Sequence, residues 1–265
     1  MRCLANFSSF LLIIFIIAGC GRNENSETKE VNPAAEGFNQ TNSDAQAIAI
    51  ADEVMLAMGG REAWDNTRYL CWKFFGRDEL IWDKWENRVR IDWSNGVTGL
   101  ADIATGEGHF YAEGQELTEP DTVAYFSNRV KRTWINHSYW LVMPFKLKDS
   151  GVTLKYMGSD TTQLGEAADK LMLTFEAVGV TPNNKYEVWV DKYSRLVTQW
   201  AHYSKATDDS ARFINPWEEY KQYGEILLSG SRGRGNMEDI MVFDDLPESV
   251  FTSPEKPNLS QAGTE

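Results

Sequence analysis

The chain is poor in the side chains that carry most metal and nucleophile chemistry: three histidines and three cysteines in 265 residues. His109, His137 and His202 lie far apart, no two have metal-ligand spacing, and no HExxH is present, so they read as surface or cap residues. A GxSxG elbow, a P-loop and a dinucleotide fingerprint are all missing, and no cofactor is expected. Basic residues are outnumbered, 26 against 39 acidic, for a formal charge of −13. A nucleic-acid binder needs a basic face to displace counterions from phosphates, so no nucleic-acid partner is expected. There is no fixed-period repeat, which argues against propellers and solenoids. Paired acids such as Asp78/Glu79 and Asp244/Asp245 fall at turn-like places and read as solvated charges. A two-carboxylate enzyme would need such groups to converge in one pocket with split proton affinities. The spacing gives no sign of that, and the chain is read as non-enzymatic.

The longest apolar stretch, Phe10 to Ala18, is also too short for a mature membrane span, which takes roughly 20 residues. It follows Met1-Arg2 and reads as the apolar stretch of a secretory signal, residues 1–19. It ends in Ile17-Ala18-Gly19-Cys20, which resembles the bacterial lipobox: small residues admit the peptidase, and the Cys20 thiol accepts diacylglycerol. The expected membrane contact is this N-terminal lipid anchor. Gly21 after Cys20 is not the aspartate that retains some lipoproteins in the inner membrane. The expected location is therefore the cell envelope, at the outer membrane facing the periplasm. Cys3 leaves with the signal and Cys20 carries lipid, so Cys71, in Leu70-Cys71-Trp72, remains as a small core hydrophobe.

Residues 20–43 are rich in Asn, Glu and Ser and are expected to be a flexible tether, averaging roughly 25–30 Å in reach. Residues 252–265 are expected to be a polar tail. Between them, residues 44–251 read as one domain. Ala47, Ile50, Val54 and Met58 keep helical spacing and Gly59 supplies a left-handed stop. Val89, Ile91 and Trp93 then alternate with Arg88, Arg90 and Asp92, a strand with one wet face. Further strands are expected at Tyr69–Phe75, Glu79–Trp85, Thr98–Ala104 and Gly108–Glu113, an antiparallel meander. Val123, Phe126, Val130, Trp134 and Ser138 predict an amphipathic helix from Asp121 to Tyr139, behind Pro120. After Gly151 the strands resume: Val152–Met157, Lys170–Glu176, Lys185–Asp191, Leu196–Lys205, Ile214–Gly224, Glu225–Ser229 and Glu238–Phe243. The Gly-rich run Ser229 to Gly235, with Arg232 and Arg234, reads as a hairpin tip or as a cradle for a phosphate or lipid headgroup.

Three short motifs carry a resemblance: Met58-Gly59-Gly60-Arg61-Glu62-Ala63-Trp64; Tyr139-Trp140 with Pro144-Phe145-Lys146-Leu147; and Trp189-Val190-Asp191 before a hairpin turn. With the lipobox and the order of elements, they resemble the LolA/LolB lipoprotein-carrier superfamily over residues 44 to 250, and within it an uncharacterised family of bacterial lipoproteins. The resemblance implies an α+β, mainly antiparallel fold, an unclosed curved half-barrel sheet covered by helices, whose hollow holds a lipid or lipoprotein acyl chain. Burying a sixteen-carbon chain such as palmitate is worth on the order of 10 kcal/mol gross. The wall would come from Trp72, Phe74, Trp82, Trp93, Phe126, Trp134, Trp140 and Phe145; the same rings would equally fill a dry core. The alternative function is an envelope interaction or scaffold lipoprotein without a small-molecule ligand.

Overall fold

The structure, a computed structural model, describes residues 30–176 and 183–259. The expected signal, Cys20 and the first part of the expected tether lie outside the described residues, as do residues 260–265. The compact unit begins at Val31.

Helix α1 (Ala45–Ala57) turns Ala47, Ile50, Ala51, Val54 and Met55 into the core. Asp44, at its start, makes no cap bond to the helix. Its carboxylate instead accepts the Tyr156 amide and the Lys155 ammonium, each at 3.0 Å. The bond from Lys155 and then that from Tyr156 hold the Asp44 carboxyl below its usual range. Gly59, at φ +112°, ends the helix; a Cβ there would lie 2.3 Å from the Glu225 carbonyl oxygen, so conformation and space both require glycine. Helix α2 (Gly60–Asn66) follows.

A meander comes next: β1 (Tyr69–Phe74), β2 (Asp78–Asp83), β3 (Arg88–Asp92), β4 (Val97–Asp102), β5 (Gly108–Ala112) and the short β6 (Gln115–Glu116). Helix α3 (Pro120–Val142) interrupts the strands and runs into a 3-10 turn at Met143–Lys146. The second run is β7 (Val152–Thr161), β8 (Ala167–Phe175), β9 (Lys185–Asp191), β10 (Val197–Tyr203) and β11 (Phe213–Pro216). Then come β12 (Glu218–Tyr223), β13 (Ile226–Ser231), β14 (Met237–Phe243) and a last turn of helix, α4 (Ser249–Thr252). The first sheet has the order β14-β1-β2-β3-β4-β5-β6, the second β11-β10-β9-β8-β7, and β12 pairs with β13 alone. Every pairing is antiparallel. The fold is α+β, with unclosed curved sheets covered by helices.

The strand expected over Ile214–Gly224 is two strands in different sheets. β11 ends at Pro216, which has no amide to extend the ladder. Trp217 is buried and donates its amide to the Thr198 carbonyl at 2.8 Å, so the chain leaves one sheet there and starts the next. Helix α3 outruns its expected end, and the apolar stretch after Tyr139 is its last turn plus the 3-10 turn that holds Pro144.

The expected tether and tail are also shorter than expected. Asn32 is buried and donates to Asp52 at 2.7 Å, the Ala35 amide reaches the Lys148 carbonyl at 3.0 Å, and the Gly151 amide reaches the Gly37 carbonyl at 2.8 Å. This arm lies on the domain because the loop from Lys148 to Val152 offers it backbone partners. At the other end, the wet face expected of β3 is covered at Arg90. That guanidinium is 1% exposed, pairs with Asp92 at 2.7 Å, and donates to the carbonyls of Ser253 and Pro254 at 2.8 and 3.2 Å. Lys256 adds an ion pair to Glu79 at 3.0 Å.

Alternation along β1 divides two cores. Leu70, Trp72 and Phe74 join the main core with α1 and α3. Tyr69 and Cys71 lie on the opposite face, with Ile81, Val250 and Phe251. Cys71 is buried there, and burial pushes its thiol pKa well up, so it is the small core hydrophobe its neighbours suggested.

Candidate functional site

A cavity of about 700 Å³ lies between the second half of α3 and the second sheet. The helix contributes Trp134, Tyr139 and Trp140; β9 and β10 contribute Tyr186, Trp200 and His202; β11 contributes Phe213. Register explains the strand side. His202 stands opposite Tyr186 and Trp200 opposite Val188, so one face of the hairpin presents a ring at each step toward its open end.

The rings meet mainly edge to face. Trp140 and Trp200 have centroids 4.7 Å apart at 72°, Tyr186 and Trp200 5.3 Å at 90°, and Phe175 and Tyr186 4.9 Å at 68°. His202 stacks on Phe213 at 4.9 Å and 7°. Edge-to-face rings hold one another apart, and the space between helix and sheet stays open.

Trp140 is fixed from behind. Arg232 is 1% exposed and donates from Nη2 to the Trp140 carbonyl at 2.6 Å, while its guanidinium carbon sits 3.3 Å over the Trp217 ring. Nη1 and Nη2 also donate to Ser229, and Nη1 to the Ser231 carbonyl, while the buried Nε has no partner among the described residues. Burial pulls its pKa down to about 9. The phosphate cradle considered for Ser229 to Gly235 is therefore not formed: Arg232 is turned inward onto protein carbonyls while Arg234 is exposed.

Polar groups interrupt the apolar wall. The Asn184 amide meets His202 Nε2 at 2.9 Å, and His202 Nδ1 has no partner among the described residues. Burial, then the charge of Arg212, lowers the His202 pKa, so the ring is neutral at pH 7. The buried Tyr139 hydroxyl also lacks a partner among the described residues, and burial pushes its pKa well up. At the rim Lys146 is paired with Asp149. These two residues also line a second pocket of about 90 Å³, bounded by Asn32, Pro33 and Ala35 of the arm and by the stacked rings of Trp64 and Phe145.

Of the eight rings expected as a wall, the structure brings two, Trp134 and Trp140, to the large cavity. Trp72, Phe74, Trp82, Trp93, Phe126 and Phe145 are buried in the main core. Trp93 and Phe110 close on Phe126 at 5.4 and 5.6 Å, and Trp93 Nε1 donates to Thr133 at 3.2 Å. Trp72, Phe74, Trp82 and Trp93 from the first sheet and its loop and Phe126 from α3 are dry-core residues, whereas Phe145 of the 3-10 turn also borders the smaller pocket. The sequence reading missed Tyr139, Tyr186, Trp200, His202 and Phe213. The available signal was the shared parity of Trp200 and His202 along β10. Of the histidines, expected as surface or cap residues, His109 is exposed beside Glu116, whereas His137 stacks on Phe74 at 3.8 Å and bonds Asp78 at 3.0 Å, and His202 lines the cavity.

Among the described residues no group of three or more His, Cys, Asp or Glu side chains is placed to hold a metal ion. No described helix is long and apolar enough to cross a membrane. No protein-family model matches the chain, and no curated protein does. Among solved structures, the chain is similar to a DUF1329 family protein from Desulfovibrio piger ATCC 29098, with 11% identity, coverage of 77% of this chain and 96% of that one, and a TM-score of 0.41.

Proposed function

We propose that this chain is a lipid-anchored envelope protein that binds a lipid or lipoprotein acyl chain without chemical turnover, in the manner of the LolA/LolB carriers its sequence motifs resemble. The ring-walled cavity of about 700 Å³ carries the reading. Its volume falls in the range of small-molecule sites, about 300–1,000 Å³. Such a space suits hydrocarbon, since each buried methylene contributes about 0.8 kcal/mol while a hydrogen bond contributes about 1 kcal/mol net. Cys20 would tie the domain to the outer membrane on its periplasmic side. Native mass spectrometry of the protein purified from its envelope, followed by lipid extraction, tests this. A co-purifying acyl lipid is expected, and a consistently empty protein that also takes up no added fatty acid would end the proposal. Loss of labelled palmitate incorporation in Cys20→Ala tests the anchor separately.

One observation favours the scaffold reading. Leu164 and Tyr193 are 68% and 90% exposed, on turns joined where the Lys192 amide meets the Ala167 carbonyl. Two neighbouring apolar tips suit a protein contact. Cross-linking in intact cells that captures one reproducible protein partner through Tyr193, with no lipid in the cavity, would favour it.

A further inference from the structure

The ligand's class can be narrowed by following charge around the cavity, an inference that rests on the acyl-binding reading. In a chain with 39 acidic side chains against 26 basic, the cavity lining holds one acid, Asp149, and two bases, Lys146 and Arg212. Lys146 and Asp149 are paired with each other and cancel. Arg212 is exposed, and its guanidinium makes no hydrogen bond or ion pair among the described residues. Its amide donates to the His202 carbonyl at 2.7 Å, which holds the residue beside β10 at the end of the ring cluster. His202 stays neutral and adds no second charge. The site thus combines an apolar wall with one uncompensated cation at its mouth.

We propose that the cavity takes a single-chain amphiphile with an anionic head, its hydrocarbon among Tyr139, Trp140, Trp200 and Phe213 and its carboxylate or phosphate on the Arg212 guanidinium. A guanidinium offers paired donors in a plane, the geometry that carboxylate and phosphate oxygens accept. The rings supply most of the affinity, and Arg212 selects the head and the direction in which the chain enters.

Three ligands of equal chain length separate the parts: palmitate, palmitoyl lysophosphatidate and hexadecanol, followed by quenching of tryptophan fluorescence. The protein is the full chain carrying Cys20→Ser, so that no anchor is added. Palmitate or the lysophosphatidate, whichever head the site fits, is expected to bind about tenfold tighter than hexadecanol. Arg212→Gln should bring the acid to the alcohol's affinity, and Arg212→Lys should restore part of the preference. Equal binding of all three by the unaltered chain would overturn the anionic head and leave acyl binding standing. A preference that survives in Arg212→Gln would overturn the role of Arg212. Binding of none would end the acyl-binding reading and this inference with it.

Discussion

One helix, α3, meets both sheets, and its two ends are packed in opposite ways. Over the first sheet Phe126, Val130 and Thr133 are buried against Trp93 and Phe110. The fit is close enough that a Cβ on Gly99 would lie 2.8 Å from the Trp93 ring and 3.2 Å from Phe110. Over the second sheet Tyr139 and Trp140 face Tyr186, Trp200 and Phe213, and a large cavity remains. Aromatic content alone does not separate the ends. What differs is the partner. On the first sheet Gly99 lets Trp93 and Phe110 close in, and Phe126 meets them at 41° and 28°, whereas on the second Trp140 and Tyr186 meet Trp200 edge to face and the cavity remains beside them.

The largest effects are expected at the solid end. Trp72→Ala removes a fully buried ring from the core of the first sheet and should cost about 3–5 kcal/mol in urea unfolding, with affinity per folded molecule unchanged. If ligand affinity fell equally, the two ends of the helix would be one mechanical unit and the contrast would fail.

Next comes the end of β2, an interior strand of the same sheet. The Asp83 side chain is fully buried and bonded by Arg68 and Arg88, each at 3.0 Å. Burial alone would raise its pKa, but the two guanidinium groups and the Glu86 amide overcome that and hold it below the ordinary value. A carboxyl depressed in the folded state contributes stability above its unfolded pKa, about 3.9, and that contribution is lost as pH falls through the folded value. Asp83→Asn should cost about 2–3 kcal/mol at pH 7, below the usual figure for a broken buried pair because both arginines keep some water contact. The variant should also lose this part of the acid sensitivity. A variant whose acid unfolding profile matched the parent's would place the sensitive group elsewhere.

A matched pair of added side chains gives a smaller but sharper test. Gly99→Ala presses on Trp93 and should cost about 1–3 kcal/mol, with binding kept. Ser204→Trp, at an exposed position on the cavity lining, should change stability by no more than about 0.5 kcal/mol while occluding the ligand. The opposite pattern would mean that the cavity closes in solution.

This contrast also marks what was legible beforehand. Period-two alternation placed β3, a turn between two strand-like runs placed the β9–β10 hairpin, and helical spacing placed α1 and α3, because local patterns are written into consecutive residues. Spacing also named the core face of α3 through Phe126 and Val130. It could not show what stood opposite, since whether Trp93 or Trp200 faces the helix depends on sheet order. The docked arm was hidden for a related reason: Asn32 and Ala35 are held by polar partners, Asp52 and the Lys148 carbonyl, and such bonds leave no hydrophobic pattern. The break at Trp217 was signalled by Pro216, but the apolar residues on either side read as one continuous strand.

The smallest effect concerns a single proton at the hollow end. His202 is held neutral by burial and then by Arg212. Between the ordinary histidine value, about 6.5, and its lower folded value, the unfolded chain carries a proton that the native ring does not, so stability declines as pH falls through that window. Arg212→Gln removes one of the two causes and leaves burial in place. The His202 resonance should then titrate at higher pH than in the parent, though still below the ordinary value. Proton NMR of the His202 ring signal reads the shift directly. A His202 titration indifferent to the substitution would put the Arg212 charge away from the cavity, and the hollow end would then differ from the solid end in shape alone.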